Sequence, residues 1–507
     1  MVLKDDPIDQ QLLVPIDLKN LIPDNHPCYL IQNIVERIDF TDIDDKYRFT
    51  AGAHAYSRKM LLRLVLMSSF DGGLSGREVE RRSRTDIAYM YLAGMQNPDF
   101  RTINRFKVEE SELIDEAFKK SILVAKEQGL VKINHIAIDG TKIKAKASIN
   151  NITDEKQLEM LKKILKDSIE LDEEEDRLLG DESGNEIPKN LINKESFDEI
   201  YDKLIDDSSK SKNDSKFKLS SKKLLKKAIK DKKSHEKVLN KINYLEDELK
   251  KSNQKTISVN DPETRWMLNK KSQWEFDYNL QIGVDDFKGI MLSIGISNNP
   301  TDFNELIPQI IQIEENIGEL PENTQISADN GYSTDENMEY LEEHQLDGYI
   351  SSRKLSRKLK NINNIEKPYS KDNFTFNVEK NTYICPEGQI LDKKGQYENG
   401  KKTVYWTNNC KYCLKKEKCA GKYRYRTITD YGNPSKIRMQ RKMEEKWAQK
   451  IYKKRSKTVE WPFGNMKRNL KLTEFNTTGI KRTQTETKLI GISHNLKRIY
   501  KEINKNN

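Results

Sequence analysis

Three acidic residues stand in contexts that set them apart from the chain's other carboxylates: Asp139 in His135-Ile-Ala-Ile-Asp-Gly-Thr-Lys142, Asp329 in Ile326-Ser-Ala-Asp-Asn-Gly-Tyr332, and Glu460 in Arg455-Ser-Lys-Thr-Val-Glu-Trp-Pro-Phe-Gly464. Each aspartate is predicted to end a short, β-rich apolar run, where a carboxylate leaves the sheet and can face a cation. Carboxylates are hard oxygen ligands that suit Mg2+ or Mn2+, and two such ions can activate a nucleophile and stabilise the leaving oxygen of a phosphodiester. The spacing therefore predicts one metal site assembled from distant segments, with Asp139, Asp329 and Glu460 as both ligands and catalytic residues. Pro462 is poorly tolerated inside a helix, so the chain is expected to kink there or to start a new helix, with Glu460 near its beginning. Lys467, about two helical turns beyond Glu460, returns to nearly the same face, where a base for phosphate would stand beside an acid for metal.

The elements that must position these residues change character along the chain. The N-terminal hundred or so residues read as short helices: Ser57 precedes an apolar face from Met60 to Leu66, Ser75 and Glu78 form a capping box, Ile87 to Leu92 is a third helix, and Asp99 caps a fourth carrying Arg101, Arg105 and Lys107. Basic outer faces on short helices fit a helix-turn-helix-like DNA reader and, equally, an ordinary helical bundle with a solvated basic face. From Ile133 the period shortens. Ile136 and Ile138, then Ile143 and Ala145 beyond a turn, predict a strand or hairpin. Trp274 to Val284 and Ile290 to Ile296 are two more strands, Asn304 to Ile317 a helix, Gln325 to Ala328 the strand that delivers Asp329, Glu336 to His344 a helix and Leu346 to Ser351 a last strand.

Two insertions interrupt this order. In the first, 151–261, Leu158, Leu161 and Leu165 mark one amphipathic helix, while Val238, Ile242, Leu245 and Leu249 follow the spacing of a coiled-coil seam. Acidic Asp172 to Asp176 and lysine-rich Lys222 to Lys233 lie between them. A solvated helical hairpin is the plain expectation, and dimerisation or tracking of the DNA backbone the alternative. The second insertion holds Cys385, Cys410, Cys413 and Cys419. Cys410 and Cys413 have the gap of a zinc knuckle, which leaves two readings open: one structural Zn2+ on four thiolates, or reduced, unliganded cysteines. Cys28 reads as a buried small apolar residue. In Tyr423-Arg-Tyr-Arg426, period-two alternation predicts a strand with Arg424 and Arg426 on one face, facing phosphates, or an edge strand with half-buried tyrosines. Trp461 alone reads more readily as core than as a base-stacking residue.

Composition is compatible with this division. A chain of 507 residues is expected to hold about two to four folding units. Its 35% hydrophobic and 33% charged residues and mean hydropathy of -0.84 are too polar for one compact globule, so the excess must lie in solvated helices or extended segments. The net charge of +9 is modest, but the basic residues are densest after residue 415, which favours a polyanion partner. No run of about eighteen apolar residues exists, and Met1-Val-Leu-Lys-Asp-Asp has no signal-peptide layout, so a cytosolic protein with no membrane partner is expected.

At the three carboxylates, and in the ordered blocks Tyr56 to Leu64, Pro98 to Phe106, Asp139-Gly-Thr-Lys142, Tyr278 to Asp285, Ala328 to Tyr332, the cysteine cluster and Val459-Glu460 with Phe463-Gly464, the chain resembles the bacterial insertion-sequence DDE transposases. Tyr452, Arg455, Glu460 and Lys467 approximate that family's Tyr, Arg, Glu, Lys signature. The resemblance implies an α/β fold: an RNase H-like mixed-sheet catalytic core (116–150 and 262–360, completed by 441–507), an N-terminal all-α DNA-binding domain (1–115), a charged helical insertion (151–261) and a cysteine-containing insertion (361–440). It implies binding to the element's terminal repeats, cleavage, and joining of 3′-hydroxyl ends to target DNA by two-metal phosphoryl transfer. Asp139, Asp329 and Glu460 would hold the ions, and Arg101, Arg105, Arg424, Arg426, Tyr452, Arg455 and Lys467 would contact DNA. The partners would be double-stranded DNA and a second copy in a working homodimer, in the cytoplasm and on the nucleoid when bound. The alternatives are a metal-dependent nuclease on the same core without strand transfer, and a domesticated DNA-binding protein that has lost catalysis.

Overall fold

Apolar residues on both faces of a strand require cover on both sides, and β1 (His135–Lys144) and β5 (Trp274–Asp285) are of this kind, buried over most of their length. They pair antiparallel from Ile136 opposite Asp285 to Lys144 opposite Asp277 and form the middle of a six-stranded sheet. This computed structural model describes residues 17–48, 55–163, 165–166, 232–269, 272–352, 368–377, 379–397 and 402–505. Past the two-residue strands β2 (Ile152–Thr153) and β3 (Ile257–Ser258), which pair with each other, the far edge of β5 takes β4 (Arg265–Leu268) beside its first residues and β6 (Met291–Ser297) beside the rest. On the other side β1 is parallel to β7 (Gln325–Ala328), and β7 to β8 (Asp347–Ile350). The order is β4-β5-β1-β7-β8, with β6 against β5.

Helices cover the sheet. Leu306–Ile317 lies on β5 and β6, Lys446–Arg468 crosses β1, β5, β7 and β8, and Ile480–Ile503 packs on β6 and on the N-terminal helices Arg58–Phe70 and Ser111–Glu127. One apolar core runs through all of these, from Ile22 to Ile499, and includes Cys28, which is buried as expected. The N-terminal helices start where capping residues predict: Ser57, Ser75 and Asp99 accept from the backbone N–H of Met60, Glu78 and Thr102. The Ser75 box is half made, because Glu78 turns away to pair with Arg81 and Arg82 at 2.6 and 3.1 Å.

Three expectations need correcting. Asp139 does not end its strand, because β1 runs unbroken through Gly140 to Lys144, held along its length by β5. Glu460 is not near a helix start either. Lys446–Arg468 is one helix with Pro462 inside it; the ring removes one backbone hydrogen bond, and burial of Val459, Phe463 and Met466 holds the helix together across the gap. Tyr423 to Arg426 is no strand, since pairing begins only at Ile428. Tyr423 is 77% exposed, whereas Tyr425 stacks on Trp406 at 4.1 Å, so the two rings do not share an environment. Strand β4 carried no readable signal.

The insertions have small cores of their own. Leu158, Leu161 and Leu165 pack with Val238, Ile242, Leu245 and Leu249 in one cluster closed by Ile257 and Val259. The leucines belong to helical residues 155–163 and 165–166, and Val238 to Leu249 to the helix Lys232–Ser252; Asp172 to Asp176 and most of Lys222 to Lys233 lie outside the described residues. The cysteine segment is a five-stranded antiparallel meander: β9 (Thr375–Asn377), β10 (Thr382–Ile384), β11 (Ile390–Tyr397), β12 (Lys402–Trp406) and β13 (Ile428–Tyr431).

A buried ion pair fastens the helical insertion to the sheet edge. Glu248 of Lys232–Ser252 meets Arg265 of β4 at 3.5 Å, with the two side chains 10% and 7% exposed. Removing one partner strands a buried charge, so Glu248→Ala should cost about 3–5 kcal/mol. Lys251→Ala, whose side chain is 68% exposed, should cost much less. Denaturant unfolding of the two variants checks the order; equal losses would refute it.

Candidate active site

The six-stranded sheet and the helix Lys446–Arg468 enclose a cleft of about 450 Å³ whose lining includes Asp139, Asp329 and Glu460. Asp139 comes from the middle of β1, opposite Ile282 of β5. Asp329 follows the last residue of β7 and caps a short 3-10 turn, where its Oδ1 accepts the Gly331 N–H at 2.7 Å. Glu460 is exposed on its helix. Three segments far apart in sequence thus place one carboxylate each on a common cavity.

Positive charge enters with them. Arg455, five residues before Glu460 on the same helix, donates from Nη1 to Asp139 Oδ2 at 2.9 Å. Among the described residues its Nε is buried without a hydrogen-bond partner. Burial works against the guanidinium charge, but Asp139, Tyr452 and Asp329 outweigh it and hold the Arg455 pKa above its usual value. Tyr452 sits under that guanidinium, 5.5 Å from ring centre to Cζ. Lys467 reaches back to β1, its amine donating to Thr141 Oγ1 at 2.9 Å. The helix therefore runs along the Asp139 strand, with Arg455 on Asp139 and Lys467 on Thr141.

A fourth carboxylate lines the cleft: Asp302, in the connection between β6 and the helix Leu306–Ile317. Its Oδ1 accepts from Asn279 Nδ2 at 2.7 Å, Gln281 Nε2 at 2.8 Å and Lys142 Nζ at 3.5 Å. Burial lowers the Lys142 pKa, with Asp302 opposing that shift. Asn298-Asn-Pro-Thr-Asp302 reads in sequence as a turn before a helix, and nothing in its spacing distinguishes Asp302 from an ordinary capping residue.

The other predicted contact residues lie elsewhere. Arg101 and Arg105 are exposed on the helix Phe100–Glu109. Arg424 is exposed, but Arg426 turns inward: its Nη2 donates to the Tyr369 carbonyl at 3.2 Å, and it lines a cavity of about 20 Å³ with Cys385, Cys410, Cys413 and Cys419. Arg426 is half-buried there, with Nη2 engaged by that carbonyl, whereas Arg424 faces solvent. The four thiols are free. Burial raises the Cys419 pKa, Arg426 lowers it, and the three other cysteines raise it further. The Gln389 N–H donates to Cys385 Sγ at 3.3 Å. Among the described residues no three His, Cys, Asp or Glu side chains are gathered as a ready-made metal cage; carboxylates and thiols share cavities, across which an ion would have to draw them in. Trp461 is 46% exposed beside the cleft, with Arg498 over its ring at 4.5 Å and His494 against its edge.

Two comparisons bear on this geometry. A family model described as a transposase DDE domain matches residues 384–500, the stretch holding the four cysteines and Glu460. A second, described as a transposase domain (DUF772), matches 16–109, the N-terminal helices. Both support a transposase function. No curated protein and no solved structure matches the chain. No helix among the described residues is long and apolar enough to cross a membrane.

The Glu460 helix is pinned to the C-terminal helix through His494, whose ring lies between Asn465 Nδ2 and the Gly289 carbonyl at 3.3 and 2.8 Å. Burial pushes the His494 pKa down to about 4, against the Gly289 carbonyl and with help from Arg498 and Lys497. Below about pH 6.5 the unfolded chain binds a proton that the folded one refuses, so this residue withdraws about 3 kcal/mol of stability as pH falls from about 6.5 to about 4. Asp261 and Asp277, which burial pushes up to about 6, act in the opposite sense over that range. The readout is therefore the difference between parent and His494→Gln: the variant should lose less stability on acidification. Parallel pH curves would refute the assignment.

Proposed function

We propose, from the premise that transposase domains are matched at both ends of the chain, that this protein is an insertion-sequence DDE transposase. In this reading it binds the terminal repeats of its element, cleaves there and joins the freed 3′-hydroxyl ends to target DNA. The observation that carries the reading is the convergence of Asp139, Asp329 and Glu460 on one cleft. The strand order, three antiparallel strands followed by two parallel ones on the far side of β1, supports an RNase H-like core.

Hard oxygen donors on a cleft open to solvent suit Mg2+ or Mn2+, and two such ions would polarise the scissile phosphate and lower the pKa of the attacking water. Asp139, Asp329 and Glu460 would hold them. Arg455, which pairs with Asp139, would pass its guanidinium to a phosphate oxygen once the carboxylate is otherwise engaged. Lys467 and Tyr452 stand on the same helix face to fix the phosphates that flank the cut. The exposed Arg101 and Arg105 would meet the backbone of the element ends, and the work would be done by a dimer that holds both ends, on nucleoid DNA in the cytoplasm.

Asp139→Asn, Asp329→Asn and Glu460→Gln keep shape and remove one negative charge each. Each variant should fold, bind element ends at least as well as the parent, and lose cleavage and joining together. Parent-like rates from any of them would sink the reading, and cleavage without strand-transfer product from precut ends would identify a nuclease instead.

The cysteine cavity fits a structural Zn2+. Four soft donors line a space large enough for one water-sized body, and the Gln389 N–H is already aimed at Cys385 Sγ, as a thiolate would want. The meander's core is only six residues with Cys385 and Cys419 packed against it, too little to hold five strands unaided. Purified protein should carry about one zinc per chain, and Cys413→Ser should lose it and unfold 368–431 first. Zinc-free protein with full activity and an unchanged melting profile would overturn this.

A further inference from the structure

We propose that Asp302 is a fourth carboxylate of the metal site, acting with Asp329 on the same divalent ion; this rests on the reading above. The backbone around both aspartates is shaped to admit it. A Cβ on Gly331 would stand 2.9 Å from Asp329 Oδ1 and 3.3 Å from Asp302 Oδ2, so the two oxygens flank one point that only a glycine leaves open. A Cβ on Gly140, the residue after Asp139, would overlap Gln281 Nε2 and come within 3.0 Å of Asp302 Oδ1. Absent side chains at these two positions thus leave a cradle in which Asp302 approaches the strand of one catalytic aspartate and the turn of the other.

The carboxylate is also fixed in orientation. Asn279, Gln281 and Lys142 all donate to Oδ1, which leaves Oδ2 toward Gly331. Gln281 is itself held by the hydroxyl of Tyr332, a fully buried residue three positions after Asp329. A purely structural acid has no need of this asymmetry: three donors on one oxygen, with the other turned toward Gly331 beside Asp329 Oδ1, is how a ligand is oriented from behind. Lys142 balances the charge of Asp302 when no ion is near.

The test is binding of Mn2+ alone to the full chain, read as the electron paramagnetic resonance signal of free Mn2+, beside DNA-end binding and thermal unfolding. Asp302→Asn keeps the oxygen that Asn279 and Gln281 need and removes the charge. It should weaken Mn2+ binding by about 10- to 100-fold while binding element ends like the parent. Because Lys142 would then be left without its counter-charge, the double variant Asp302→Asn with Lys142→Met is measured too, and it should remain weak for Mn2+ even if its melting temperature recovers. Parent-like Mn2+ affinity in Asp302→Asn, or its recovery in the double variant, would overturn the proposal. If Asp139→Asn and Asp329→Asn also leave the isotherm unchanged, the metal-site reading falls and this proposal with it; if they weaken it and Asp302→Asn does not, only Asp302 is wrongly assigned.

Discussion

Like charges held in one cleft repel, and two carboxylates about 4 Å apart in a protein's intermediate dielectric would cost about 4 kcal/mol. The structure brings four to one cavity, so each arrives with compensation attached. Asp139 accepts the Gly140 N–H at 2.9 Å and the Arg455 guanidinium, Asp329 accepts the Gly331 N–H, and Asp302 has Lys142 and two amides. Glu460 stays exposed to water. Carrying Arg455 and Glu460 on one helix means that the element delivering the third acid also delivers the charge that neutralises the first. That coupling explains why the helix must stay continuous across Pro462, since Lys467 beyond it is anchored to Thr141 on the same strand as Asp139.

How far the chain can be read before it folds follows from where its signals are local. Caps at Ser57, Ser75 and Asp99 are decided within four residues, and the helices begin where those residues predict. The apolar seam from Val238 to Leu249 and its partner positions from Leu158 to Leu165 were visible as periodicity and do meet. The failures are tertiary. Gly140 looks like a turn residue, yet β5 pairs with β1 straight through it. Pro462 looks like a boundary, yet the core beneath the helix overrides it. Tyr423 to Arg426 has strand alternation, but Trp406 takes one tyrosine and the cysteine cavity takes one arginine. At the cleft, the three acids in unusual contexts were recognisable by type and neighbours, while Asp302 was hidden because its partners lie on β1 and β5 and no local pattern points to them.

The insertions show how small units are tied to a large one. The helical hairpin has its own apolar cluster and is fastened at β4 by the Glu248–Arg265 pair. The meander reaches the sheet through the helix Pro434–Lys442, where Lys442 bonds Asp347 and the Gly348 carbonyl and Arg438 pairs with Glu342. The hairpin's attachment is a charged pair, whereas the meander's helix adds apolar contact as well, because Met439 and Met443 are buried in the central core.

Strand β1 owes one edge to β5 and the other to β7, and its cleft is closed only by a helix that begins at Lys446. The contacts that β1 makes with β5, with β7 and with this helix all join residues more than a hundred positions apart, a topology whose loop-closure entropy slows folding. During synthesis, the first two aspartates are made long before Arg455 and Glu460 exist. Until then Asp139 has no guanidinium beside it, β1 lacks the cover of the helix, and the half-built sheet exposes apolar surface to whatever else is in the cell. A chain truncated anywhere before this helix would leave β1 uncovered and Asp139 without Arg455, so the late position of the helix makes the cleft one of the last features the polypeptide completes.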